Sequence, residues 1–279
     1  METWEEKVKR LKKISWELRK DVVEMIYKAK AGHPGGSLSA ADIITVLYFE
    51  ILNIDPKNPQ WEDRDRFILS KGHSCPIHYA ALARRGFFDR EHLWTLRKTH
   101  SILQGHPDMK KTPGLDYTSG SLGNGLGIAV GMALGLKMNK KNSRVFVMLG
   151  DGECQEGAIW EAAMCAVHYK LDNLYAIVDY NGLEVDGWLR EVMNIEPFKE
   201  KWEAFGWKVR EIDGHDIEEI LNAFQWCLKV GGPAVIIAHT VKGKGVSFME
   251  NEVEWHGLAP NEEEYKKAME ELEREVSLL

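Results

Sequence analysis

Asp151 and Asn181 each stand directly after a short apolar run, in LGDGECQEG at 149–157 and DYNGLEVDG at 179–187. A carboxylate and an amide oxygen at two strand ends, joined by a backbone carbonyl, make the hard oxygen set that magnesium shares with substrate phosphates. A lone Gly-Asp-Gly is more often a turn. An Asn-Gly follows the next apolar run thirty residues on.

Two further features could serve the same ligand. YTSGSLGNGLGIAVGMALG at 117–135 is a glycine-rich loop entering a small-residue helix. Free backbone N–H groups and the helix dipole could receive a diphosphate there, although tight packing through Gly and Ala explains the composition equally well. Four histidines adjoin glycine, at Gly32–His33, Gly72–His73, Gly105–His106 and His256–Gly257. Imidazoles suit proton movement among sugar hydroxyls near neutral pH, and four such pairs from separated segments suggest one shared pocket. His215, between Asp213 and Asp216 in DGHD, reads instead as turn and cap. No HExxH or comparable zinc spacing is present.

These residues need a frame. Four apolar runs, DRFILS, RVFVMLG, LYAIVDYN and PAVIIAHT, alternate with helical stretches, the pattern of a parallel sheet buried on both faces. The expected fold is α/β, three-layered, with a mainly parallel central sheet between helices. Ligands collect at the carboxyl ends of such strands, and KGHSC, DGECQEG, NGLEVDG and VKGKG follow the four runs. Trp4, Leu11, Leu18, Val22 and Ile26 mark a leading amphipathic helix over 4–30, and Ser39 is placed to cap a helix from Ala41 to Leu52. A charged amphipathic helix closes the chain, and no domain boundary is visible, so 1–279 reads as one domain.

The 279 residues are 44% hydrophobic and 28% charged, with a net charge of −7. That balance fits a globular enzyme and provides no basic footprint for nucleic acid. Cys75, Cys154, Cys165 and Cys227 show no disulfide or zinc spacing and read as reduced thiols. The charged N-terminal segment lacks the apolar stretch of a signal peptide or membrane span, so a cytoplasmic protein is expected. Some of the ten tryptophans could anchor a subunit interface; ordinary core positions explain them as well.

AGHPGGSLS, LSKGHSCPIHYA, QGHPD, TSGSLGNGLGIAVGMAL, GDGECQEG, DYNGL and KGKGVSFMENEVEWHG occur in an order that resembles the transketolases across nearly the whole chain. The resemblance implies thiamine diphosphate with magnesium, or calcium or manganese in its place. It implies Asp151, the Asn181 side chain and the Leu183 carbonyl as metal ligands. Gly120, Ser121, Leu122, Gly152, Asn181 and Lys242 would lie at the diphosphate, and His73 and His256 at cofactor and substrate. His33 and His106 would line the sugar channel, and Glu156 would link two sites across a dimer or else be an exposed glutamate. Asn124 stands where the family usually has glutamine.

The family's chains continue into a pyrimidine-binding domain that has no counterpart in these residues. The resemblance therefore implies a separate subunit carrying that domain, in an α2β2 assembly. The implied reaction moves a two-carbon ketol unit from a ketose phosphate to an aldose phosphate. Another thiamine diphosphate carboligase, or a non-catalytic subunit, is the alternative.

Overall fold

The computed structural model describes residues 2–279. Its elements run α1 (Trp4–Ala29), α2 (Pro34–Ser39), α3 (Ala41–Val46), β1 (Arg66–Leu69), α4 (Cys75–Arg85), α5 (Asn124–Met138), β2 (Val145–Gly150), α6 (Gly157–His168) and β3 (Leu174–Tyr180). They continue with α7 (Leu189–Val192), α8 (Phe198–Ala204), β4 (Lys208–Asp213), α9 (Ile217–Val230), β5 (Ala234–His239) and α10 (Glu262–Ser277).

The five strands form one parallel sheet in the order β1-β2-β3-β5-β4. Because side chains alternate across a strand, the central strands feed two cores at once. Phe146, Met148, Tyr175, Ile177 and Ile236 face the helices α1, α3, α4 and α9. Val145, Val147, Ala176, Val178 and Ile237 face α5, α6 and α8. Burying each large aliphatic side chain contributes about 1.5–3 kcal/mol.

The leading helix forms as expected, started by a Thr3–Glu6 capping box and stopped at Lys30 in a left-handed conformation. Leu11, Leu18, Val22, Met25 and Ile26 are fully buried on one of its faces. The closing helix α10 starts at an Asn261–Glu264 capping box and lies along α1, with Tyr265 stacked on Tyr27 at 4.1 Å.

Two expectations are corrected. Ser39 does not cap the next helix: it is the last residue of α2, Ala40 holds the N-cap position without a side-chain bond, and the Ser39 hydroxyl donates to Asp179 at 2.6 Å. The helix also changes register, continuing from Val46 as a π-turn over Leu47–Ile51. The fifth strand, β4, escaped the sequence reading because KVREID is an edge strand, mostly outside the core and paired only with β5. Trp202 and Trp207 are buried and Trp160 packs against Trp202, so these three tryptophans are core residues. All four cysteines are free. No helix among the described residues is long and apolar enough to cross a membrane.

Candidate active site

Parallel register brings the carboxyl ends of β1, β2, β3 and β5 level: Gly150 pairs with Asp179, and Tyr180 with His239. The loops leaving those ends enclose a cleft of about 310 Å³ lined by Gly36, Lys71, His73, Leu122, Asp151, Gly152, Glu156, Asn181, Leu183, Lys242 and His256, among others. The loops after four strands thus meet in one place with Gly36 and Leu122 from two further segments, as the run of polar loops after the strands led one to expect.

Asp151 is 3% exposed and accepts from its neighbour Gly152 N–H at 2.8 Å and, across the strand gap, from Gly182 N–H at 2.6 Å. Burial and the nearby Asp179 carboxylate push its pKa up to about 6. An anion raised in this way is short of positive charge, the condition a cation relieves. Asn181 turns its amide oxygen to Leu183 N–H at 3.1 Å, while the Leu183 carbonyl accepts from the Lys242 ammonium at 2.9 Å. That ammonium also contacts His256 Nδ1 at 2.8 Å, and burial lowers its pKa to about 8.

Three of the four glycine-flanked histidines cluster. His33, His73 and His256 have ring centroids 5.2–5.7 Å apart, with His73 and His256 stacked. Burial is the main cause of their lowered pKa values, to about 4 for His33 and His256, with cationic neighbours adding to it. His73 falls well below 6.5 for the same reasons. All three are therefore neutral near pH 7, each able to give and take one hydrogen bond. His106 stands apart, exposed, with its ring against Gly120.

The predicted cradle divides. Leu122 borders the cleft, whereas Gly120 and Ser121 are exposed and do not line it. The amides at the head of α5 are engaged inside the protein: Gly123 N–H donates to Glu153 at 2.8 Å and Gly125 N–H to Ser70 at 3.1 Å. Tight packing is the better description at Gly125, where a Cβ would fall 2.2 Å from Ser70 Oγ. Glu156 is an exposed N-cap residue of α6 on the cleft wall, its side chain against Gly123. Asn124 opens α5 and is exposed.

Sequence reasoning passed over three buried charges that hold the loops. Glu153 accepts from Gly123 and Gly150 N–H and from the Ser70 hydroxyl, tying the ends of β1 and β2 to α5. Asp179 accepts from Lys71, Ser39 and Thr240 and so joins the first loop to three strand ends. Burial alone would raise Asp179, but Lys71 beside it, together with the Ser39 and Thr240 hydroxyls, more than offsets this, leaving it below the usual carboxylate range. Part of the signal was present in the motifs: Lys71 and Glu153 are charged residues within three positions of the ends of buried strands.

His215 is a turn residue as expected, with its N–H on Asp213, and Asp216 caps α9. Its ring does more, bridging Asp42 at 2.8 Å and the Val241 N–H at 2.8 Å. Asp42 is in turn paired bidentately with buried Arg19. This chain steadies the loop that carries Lys242.

The donor set suits a hard divalent cation shared with a diphosphate. One carboxylate, one amide oxygen and one carbonyl border the same cleft, and no group of three or more His, Cys, Asp or Glu side chains is arranged to hold a metal ion among the described residues. Phosphate oxygens would complete the shell of a cation held there. Gly36, Gly150 and Gly152 leave bare backbone on the wall, and a Cβ at Gly36 would reach 2.7 Å from Ser74 Oγ. His33 Nδ1 and Ser74 Oγ are buried without partners.

Residues 11–276 match the family described as transketolase, thiamine diphosphate binding domain. A 6-deoxy-6-sulfo-D-fructose transketolase subunit from a Clostridium species is 46% identical over 259 residues, 92% of this chain and 94% of that protein. An apulose-4-phosphate transketolase subunit from Phocaeicola vulgatus is 44% identical over 262 residues, 94% of this chain and 93% of that protein. The crystal structure of Campylobacter jejuni transketolase superposes with a TM-score of 0.89 at 36% identity, over 94% of this chain and 42% of that one. The chain belongs to the transketolase family, as a subunit corresponding to its N-terminal, thiamine diphosphate-binding part.

Proposed function

We propose that this chain is a single diphosphate-binding domain that holds thiamine diphosphate and magnesium and needs a second, pyrimidine-binding subunit for ketol transfer between sugars. The observation that carries this is the convergence of Asp151, Asn181 and the Leu183 carbonyl in one cleft beside three neutral histidines. Asp151, the Asn181 amide oxygen and the Leu183 carbonyl would hold the metal. Gly152, Asn181 and the Lys242 ammonium would meet the diphosphate, with Leu122 alongside, whereas Gly120 and Ser121 lie outside the cleft. When bound, thiamine diphosphate supplies a carbanion equivalent for breaking and remaking the bond beside a ketose carbonyl.

The chain's own part in turnover is to orient the sugar and handle its protons. His73 and His256, neutral and stacked, hydrogen-bond oxygen atoms near the reacting carbon; His33 and His106 hold the hydroxyls further out. Neutral imidazoles can pass a proton in either direction without a buried charge, which suits a reversible transfer. Glu156, exposed at the head of α6, would link to a neighbouring site across an α2β2 dyad.

Exposed apolar residues support a partner on this side. Leu122 is 40% exposed and Ile128 39% exposed on the α5 side, with Met164 54% exposed on α6. Apolar residues grouped beside a site whose catalytic complement is incomplete fit a subunit interface. The subunit relatives are named for sugars bearing a sulfonate or a phosphate, and the substrate class proposed here is a ketose and an aldose with such a terminal anion. The reading extends to the generic transketolase reaction, EC 2.2.1.1, with its pentose phosphates.

A donor panel tests it. The chain with its co-purifying partner, supplied with cofactor and magnesium, should consume ketose phosphates and leave pyruvate untouched. Turnover of pyruvate with glyceraldehyde 3-phosphate, and of no ketose, would transfer the chain to a different carboligase reaction.

A further inference from the structure

The segment that carries Lys242 is gripped on both sides through one buried carboxylate. Asp42 on α3 is 6% exposed, and Arg19 of α1, which pairs with it, is 1% exposed. The guanidinium meets Asp42 with two bonds, Nη1 to Oδ1 at 3.0 Å and Nη2 to Oδ2 at 2.6 Å, and donates its Nε–H to the Lys244 carbonyl at 3.0 Å. On the other side the His215 ring spans Asp42 Oδ2 and the Val241 N–H, each at 2.8 Å. Val241 and Lys244 bracket Lys242 and Gly243.

A backbone N–H can only donate, so His215 Nε2 accepts and the ring's proton sits on Nδ1, aimed at Asp42. The ring is therefore a strut with a fixed direction, with the carboxylate at one end and the loop amide at the other. Its own place is set by the turn before it: Gly214 N–H donates to the His239 carbonyl at 2.8 Å, and a Cβ at Gly214 would fall 2.4 Å from Thr240 Cγ2. Val241 is where the chain leaves the sheet. Thr240 N–H still donates to the Tyr180 carbonyl at 3.0 Å, and the next amide is the one that His215 takes. From this point the Lys242 ammonium runs to the Leu183 carbonyl and to His256.

We propose that His215 is a positioning residue for diphosphate binding: it hangs the entrance of the Lys242 loop on the Arg19–Asp42 pair and so sets where the ammonium stands in the cleft. The diphosphate rests on the cofactor reading of the cleft; the clamp does not.

The direct variant, Asp42→Ala, would leave Arg19 buried without its counter-charge and endangers the fold itself. Two conservative changes at His215 separate the roles. Asparagine places an amide N–H where Nδ1 donates to Asp42 and stops short of Val241, whereas glutamine carries its oxygen out to where Nε2 accepts. Thiamine diphosphate with magnesium is titrated calorimetrically into the assembled complex. His215→Asn should weaken binding by about 3- to 10-fold, the contribution of one hydrogen bond, and His215→Gln should recover most of that loss. Amide hydrogen exchange of the full chain without cofactor reports the clamp separately: the Val241 N–H should exchange faster in His215→Asn than in the wild type and be protected again in His215→Gln. No loss of affinity in His215→Asn, a loss in His215→Gln as large or larger, or unchanged exchange at Val241 would overturn the proposal. The same exchange pattern in a protein whose wild-type complex binds no thiamine diphosphate would uphold the clamp and sink the cofactor assigned to the cleft.

Discussion

Replacing Asp151 with Asn should make the metal-free chain more stable while abolishing its response to magnesium and cofactor. Asp151 is buried, and burial together with Asp179 raises its pKa from 3.8 to about 6. At low pH the folded and unfolded states both carry the proton, and the site costs nothing. As pH rises from about 4 the unfolded chain releases its proton first, so stability falls until about pH 6 and then levels off. The loss above pH 6 is about 3 kcal/mol. Asparagine has no charge to bury, but its one oxygen cannot serve both Gly152 and Gly182 N–H groups, and the unmet amide costs about 1–2 kcal/mol. The net gain is about 1–2 kcal/mol, or about 2–4 °C in Tm for each kcal/mol. Differential scanning calorimetry at pH 7.5 with chelator would measure it. Magnesium and thiamine diphosphate at a hundred times Kd should stabilise the wild type by about 2.7 kcal/mol and leave Asp151→Asn unmoved. A variant destabilised in chelator, or still stabilised by magnesium and cofactor, would refute the assignment of Asp151 as the buried ligand.

Gly125→Ala would drive a methyl group into Ser70, 2.2 Å from Oγ and 2.9 Å from Cα, and should cost about 1–3 kcal/mol in urea denaturation. Gly131→Ala, in the same helix with nothing within 4 Å, should instead stabilise the isolated chain by about 0.5–1 kcal/mol; equal effects would contradict the packing described. Lys71→Met leaves Asp179 buried without its cation, and a loss of about 3–5 kcal/mol is expected. A loss below about 1 kcal/mol would mean the Lys71–Asp179 pair does not hold the loops. NMR titration should place His33 and His256 near pKa 4. Because the unfolded chain then binds more protons between about pH 4 and 6.5, these two histidines lower stability as pH falls through that window, and values above 6 would show them to be charged.

The sheet was legible where strands are buried on both faces. FILS, VFVMLG and AVIIAH have little choice but to form a core, and the polar residue after each then falls at the ligand edge. β4 was not, because at the sheet edge KVREID keeps its polar residues out of the core. Gly-His adjacency brought out His33, His73 and His256, since an imidazole beside a bare backbone suits a pocket wall better than a core. Local spacing misassigned Ser39, whose hydroxyl is claimed by Asp179, 140 residues away in sequence. Lys71, Glu153 and Asp179 went unremarked for the same reason: a buried charge is recognised by its partners, and those lie on other strands.

Ketol transfer from xylulose 5-phosphate to ribose 5-phosphate, followed with this chain alone, the co-purifying partner alone and the two mixed, tests the central claim most directly. With thiamine diphosphate and magnesium supplied, activity should appear only in the mixture. Activity in the chain alone would contradict the claim that a second subunit completes the site, and silence in all three, with binding of cofactor intact, would contradict transfer between these sugars.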